Sequence, residues 1–311
     1  MGSEASTPRN RPVVAGVDGS RSTPGTVDLA AAEAARCGAP LLIVHVWPGR
    51  YRGVFRSRDS VPSKADGVRL LEVTRRRAAL AGPGVPIATE LLEGGAAATL
   101  TDCSAEAQLL VVGHRDDPYA RPSWGSTAAY LAHHSECPLL VNRGAGHDGP
   151  VVVASSARPS GAATLGYAFA EAAQRGARLV AVHMWVRPSA ADGRAPVVVR
   201  GGYAEERRAA DARLTDALTE WSQRYPEVTV DRLVVSDLDL ACTIDRASHR
   251  GRLLVAGIGR HGRFAELLYG AGPVGLRGST CPVVLVPAGW PVPETVVVGR
   301  NRAVPMPRPC L

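Results

Sequence analysis

The chain repeats itself, and this limits what it can fold into more than any other feature. Pro12 opens PVVAGVDGS, and the stretch VDLAAAEAARCGAPLLIVHVW follows, ending at Trp47. Pro150 opens PVVVASSAR, and LGYAFAEAAQRGARLVAVHMW follows, ending at Trp185. The two passages register at an offset of 138, which superposes Glu33 on Glu171, Gly38 on Gly176, His45 on His183 and Trp47 on Trp185. Further on, TLTDCSAEAQLLVVG ending at Gly113 matches TIDRASHRGRLLVAG ending at Gly257, and Cys137-Pro138 matches Cys281-Pro282, now at an offset of 144. Two homologous domains follow, over residues 11–143 and 150–287. Residues 1–10 form an N-terminal tail, 144–149 a glycine-rich linker and 288–311 a proline-rich C-terminal tail. A linker of six residues (GAGHDG) keeps the domains close and favours an intimate pseudo-twofold pair.

Each repeat alternates between two periodicities in the order of an α/β unit. In the first, the β-branched run Val13 to Val17 reads as a strand buried on both faces. Pro24 to Cys37 reads as a helix, with Pro24 suited to its first turn and Gly38 to its stop. Strands are expected at Leu41–Val46, Pro86–Leu92, Leu109–Val112 and Leu139–Asn142, and helices at Lys64–Ala81, Ala96–Ser104 and Gly125–Ser135. The fold class is thus α/β, two tandem Rossmann-like domains, each a five-stranded parallel sheet wrapped by helices. The fifth strands, Leu139–Asn142 and Val283–Val286, would be exposed apolar edges, and mutual pairing removes that liability. In the tail, Val296–Val298 is the one stretch free enough of proline to be regular.

Ligands of open parallel α/β sheets bind outside the carboxyl ends of the strands, where the strand order reverses. Asp18 ends the first strand there, Val46 lies at the end of the second, and the loop from Gly113 to Trp124 follows the fourth. Gly125-Ser126-Thr127 opens the next helix, whose free N–H groups and hydroxyls suit phosphate. These groups point to a nucleotide. His45 and His183 recur near strand ends and read as packed, hydrogen-bonded side chains. Trp47 and Trp185 read as packing beneath loops. His133 and His134 are neighbours on a helix, a spacing that does not favour joint metal ligation. The sequence contains no P-loop and no nucleophile elbow. No catalytic residue and no metal site are assigned.

VVAGVDGS, the His-Val pair of the second strand, LLVVG, Gly-Ser before a helix and CPLLV together resemble a universal stress protein domain, here in tandem. The resemblance covers nearly all of both repeats and implies the adenine nucleotide alpha hydrolase-like fold. In the ATP-binding branch the loop reads Gly, two residues, Gly, nine residues, Gly, then Ser or Thr. The resemblance implies that Asp18 and Gly19 face ribose or phosphates, the Val46 backbone the adenine, and Gly113, Gly125, Ser126 and Thr127 the triphosphate, with Mg2+ if ATP is bound. HIGH and SGGxDS signatures of adenylyl-transferring relatives are missing.

Both repeats depart from that pattern. In the first, Asp116 replaces the second glycine, the loop is one residue shorter, and the pair Asp116 and Asp117 lies where phosphates would. In the second, Ser156 stands at the position of Asp18, and Gly259 and Gly262 keep the spacing, but Gly270 comes early and Pro273 follows Gly272. Starting instead from Gly257 puts Arg260 at the second position. The second domain therefore reads as a degenerate or structural copy.

With 45% apolar and 21% charged residues, disordered, collagen-like and disulfide-scaffold classes drop out. Apolar runs such as Leu109–Val112 are far below the roughly 18–20 residues that span a bilayer, and the first ten residues do not have the order of a signal peptide. Cytoplasmic residence without membrane contact is expected. The six cysteines, Cys37, Cys103, Cys137, Cys242, Cys281 and Cys310, are scattered and read as small buried thiols. The net charge of +7 is almost all arginine, Lys64 being the single lysine, and Arg50 to Arg58 and Arg75 to Arg77 read as solvated faces. The reading is a stress-response regulator that binds ATP in its first domain and signals through contacts with a protein partner of unassigned identity, with homodimerisation open. The alternatives are a nucleotide-free scaffold with decayed sites and a basic nucleic-acid-associated protein acting through Arg50 to Arg58.

Overall fold

A computed structural model describes residues 11–48, 63–114, 127–144, 146–154, 157, 161–185, 200–236, 240–258 and 281–291. The first repeat runs β1 (Val13–Val17), α1 (Thr23–Cys37), β2 (Leu41–Trp47), α2 (Lys64–Ala81), β3 (Ile87–Glu93), α3 (Ala96–Ala105), β4 (Leu109–Gly113), α4 (Thr127–His134) and β5 (Leu139–Asn142). The second runs β6 (Val151–Ala154), α5 (Ala162–Gln174), β7 (Leu179–Trp185), α6 (Arg200–Arg224), β8 (Val230–Ser236), α7 (Leu240–Arg250), β9 (Leu253–Ile258) and β10 (Val283–Pro287). Element bounds differ from expectation by a residue or two, as helix ends and strand ends do. Gly125, Ser126 and Val296–Val298 lie outside the described residues.

Ten strands form one sheet in the order β3-β2-β1-β4-β5-β10-β9-β6-β7-β8. Pairing is parallel throughout each half, and the halves meet antiparallel through β5 and β10, with Leu140 opposite Val284. The expected joining of the fifth strands is thus present. β1 and β4, shielded on both faces, are the β-branched and leucine-rich runs VVAGV and LLVVG. The outermost strands, β3 and β8, are only half-buried and carry the charges Glu90, Glu93, Asp231 and Arg232.

Helices cover both faces. On one, α1 buries Thr23, Thr26, Val27, Ala30, Ala31 and Ala34, the three-and-four spacing of a helix face, and α6 buries Ala210, Leu214, Leu218 and Trp221 in the same rhythm. This core runs on through Phe169, which stacks on Trp221 and Tyr225 with ring centroids 6.5 and 6.0 Å apart. On the other face Leu100 of α3, Leu131 of α4 and Ile244 of α7 close a second core. α1 stops where expected: Gly38 takes the left-handed conformation at φ 63° and its N–H returns to the helix.

Cys137 and Cys281 are buried, as read from the sequence, and burial pushes the Cys137 thiol up to about 12. Cys37 and Cys242 are exposed instead and Cys103 is half-buried, while Cys310 lies outside the described residues. Among the described residues no helix is long and apolar enough to cross a membrane.

Candidate functional site

The strand order turns back between β1 and β4, and a cleft of about 90 Å3 lies there. Its floor is Gly16 and Val17 of β1, Val44 and Val46 of β2, and Val112 and Gly113 of β4, with Ala96 and Leu100 of α3 as an apolar wall. Asp18, Ser22, Thr23 and Thr26 edge it from the start of α1, and Thr127 and Ala128 from the start of α4. The α1 side is therefore a row of hydroxyls and the α3–α4 side is apolar apart from Thr127, a mixture that suits a phosphate and a base.

The turn after β1 positions that row. Asp18, exposed at the strand end, accepts the Ser20 N–H at 2.9 Å and the Thr23 hydroxyl at 3.4 Å through Oδ1. Gly19 between them has φ 75°, a conformation that a β-carbon would strain. Ser22 precedes the helix without a side-chain cap bond, and its hydroxyl meets that of Ser20 at 3.0 Å. Thr26, fully buried, donates to the Ser22 carbonyl at 2.9 Å and lies 3.4 Å from Asn142 Nδ2. Gly113 is the close-approach point: a β-carbon there would collide with the Ser22 hydroxyl and press to 3.0 Å on Thr26 Oγ1.

His45 stands behind the site. Its Nδ1 is 2.8 Å from the Val17 carbonyl, which can only accept, so Nδ1 carries the proton. This fixes the end of β1 just before Asp18. Gly67 of α2 lets that helix lie over the ring, since a β-carbon would come within 3.0 Å of His45 Cδ2. At the matching place, Nδ1 of His183 instead accepts the Ala157 N–H at 3.3 Å, so the two related histidines take opposite tautomers. Neither histidine lines the cleft.

The structure brings Asp18, Val46, Gly113 and Thr127 together and sets Gly19 in the adjoining turn. Gly125, Ser126, Asp116 and Asp117 lie outside the described residues, as do Gly259, Gly262, Gly270 and Ser156 of the second repeat and Arg50 to Arg58. Gly257 is described, and it repeats the Gly113 arrangement: a β-carbon would stand 2.7 Å from Thr164 Oγ1. The second repeat differs beside it, because the strand partner of Gly257 is Val286, where Gly113 pairs with Asn142. Ser22, Thr23, Thr26 and Asn142 were not singled out from the sequence. The first three lie in the run SRSTPGT after the first strand, where serine and threonine at a helix start read as caps and not as ligand groups.

Other marked residues have structural partners. Trp47 is half-buried, and its carbonyl takes the Gly94 N–H at 3.0 Å. His134 stacks on Tyr130 at 4.0 Å, and His133 meets His134 edge-on at 6.5 Å. Among the described residues no cluster could hold a metal ion. A larger hollow of about 260 Å3 lies at the seam between the repeats, lined by Leu29, Glu33, His147, Asp148, Arg175 and Arg252 among others. Its charges are matched from within, Glu33 with Arg175 at 2.6 Å and Arg252 with Asp148 at 2.7 Å.

The sequence model of the Universal stress protein family matches residues 9–143 and again 149–287. The chain belongs to the universal stress protein family. It is 29% identical over 290 residues to a universal stress protein of Mycolicibacterium smegmatis, covering 88% of this chain and 96% of that one. Against one from Mycobacterium tuberculosis strain H37Rv the identity is 27% over 291 residues, covering 88% and 96%. The crystal structure of a universal stress protein from Archaeoglobus fulgidus superposes with a TM-score of 0.64 at 14% identity, covering 90% of this chain and 97% of that one, a likeness of fold. Two universal stress protein units in tandem make up this chain.

Proposed function

We propose that the first repeat binds an adenine nucleotide in the cleft between β1 and β4 and that the second repeat is its structural mate. The carrying observation is that Asp18, Ser22, Thr23, Thr26, Gly113 and Thr127 converge on one cleft that also holds an apolar wall, Ala96 and Leu100 of α3. Base contacts fall to Val44, Val46 and Leu100, sugar hydroxyls to Asp18, and phosphate to the hydroxyls of α1 and Thr127. A magnesium ion accompanying ATP would supply charge compensation beside Asp18. Asp18 is the one ionisable group among the described lining residues, which favours binding over catalysis. Occupancy would then bias which surface the protein offers to a partner.

Isothermal titration of the full chain with AMP and with ATP plus magnesium tests this. One site per chain, lost in Asp18→Ala and in Gly113→Ala, supports the reading. No heat at millimolar nucleotide, with folded protein shown by circular dichroism, overturns it and leaves the scaffold alternative.

A further inference from the structure

The seam between the repeats has a pseudo-twofold axis that two pairs of residues locate. Leu140 and Val284 occupy equivalent positions of the repeats, and they face each other directly in the β5–β10 register. Arg36 and Gln174 are also equivalent, and the Arg36 guanidinium donates to the Gln174 side-chain carbonyl. A residue that touches its own counterpart lies on the axis. Leu140 and Val284 belong to the core beneath α1 and α5, so both contacts lie on that side of the sheet.

Around the axis the charges form a ring. Arg36 pairs with Glu33 of its own helix and with Glu171 across the seam at 3.0 Å. Arg175 pairs with Glu171 at 2.9 Å and with Glu33 across the seam at 2.6 Å. The glutamates are equivalent residues but the arginines are not, because Arg36 corresponds to Gln174 and Arg175 corresponds to Cys37. Each repeat contributes one arginine, each at a different position, so neither meets its own kind.

From this we infer that the seam is heterotypic: the face formed by α1 and β5 accepts the α5 and β10 face of the second repeat and rejects a copy of itself. If two first repeats paired in this way, Arg36 would lie on Arg36 at the axis in a site only 18% exposed, where like charges are poorly screened. They would also set Leu140 against Leu140 where Leu140 and Val284 now interlock, an overfilled contact. The occupant is the second repeat of the same chain, because the linker is seated on that repeat. His147 donates its N–H to the Gly251 carbonyl at 3.3 Å, and Asp148 holds Arg252. A β-carbon on Gly149 would collide with the Arg250 carbonyl, and one on Gly146 would come to 2.5 Å from that of Arg252. The inference does not rest on nucleotide binding.

A charge-swap cycle on the full chain tests it. Gln174→Arg places arginine on arginine and lowers Tm by about 4 °C. Adding Arg36→Gln moves the single axial arginine to the other repeat, where Glu171 and Glu33 remain within reach, and recovers most of that loss. Gln174→Met, of similar length and uncharged, should lose less Tm than Gln174→Arg, a difference that a purely steric defect would not produce. A Gln174→Arg protein that melts like the parent, or a double variant no better than the single one, overturns the inference. So does a parent chain that forms dimers by sedimentation velocity while Gln174→Arg does not.

Discussion

Glu33 and Arg175 come from different repeats, and their side chains meet at 2.6 Å on a seam where Glu33 is almost fully buried. Burial alone would raise the Glu33 carboxyl, but Arg36 and Arg175 outweigh it and hold the group below its usual 4.5. A depressed carboxylate stabilises the fold above its ordinary pKa and loses that contribution as pH falls through the folded value. Glu33→Gln, which keeps the shape and removes the charge, is expected to cost about 3 kcal/mol at pH 7, the range for breaking a buried ionic group. Thermal unfolding of both proteins between pH 7 and pH 3 checks the sign, since the gap should narrow once pH drops below 4.5.

Gly113→Ala should strain the cleft directly. The new methyl meets the Ser22 hydroxyl and buried Thr26, so a loss of about 2 kcal/mol in stability is expected by denaturant unfolding. Ser22→Gly in the same chain removes the hardest collision and should return part of that loss. A variant as stable as the parent would mean that the first turn of α1 yields easily.

Much of this was legible in the sequence. Val13–Val17 and Leu109–Val112 announce central strands because strands shielded on both faces tolerate little but apolar residues, and Gly38 announces a helix stop because few other residues take its φ. Asp18, Val46, Gly113 and Thr127 could be placed at one sheet end by topology alone. The hydroxyls of Ser22 and Thr26 could not, since serine and threonine at a helix start usually cap it, and here Ser22 makes no such bond. The seam was further out of reach. Glu33 and Glu171 stood out as repeated residues, but their meeting depends on which strand edges join and in what register.

Gly19→Ala isolates the turn before α1. At φ 75° an added β-carbon costs about 1 kcal/mol, although the nearest atom, Leu70 Cδ2, is 3.6 Å away and no clash arises. Gly289→Ala, with open space and no such φ, should be neutral in the same melting experiment.

Gly149→Ala should loosen the linker instead of either repeat. The Arg250 carbonyl is backbone and cannot swing aside, so the segment over residues 146–149 has to lift. Faster cleavage by trypsin after Arg143, which is buried in the parent, is the expected readout, with the far-ultraviolet spectrum unchanged.

The antiparallel joint between β5 and β10 in an otherwise parallel sheet has a geometric result of its own. Strands of the two halves run in opposite directions, so the rim bearing Asp18 and Gly113 and the rim bearing Gly257 look out from opposite margins of the molecule. A macromolecule seated over one rim is out of sight of the other. The molecule thus has two distinct ends, and only one of them keeps an aspartate at its first strand's close.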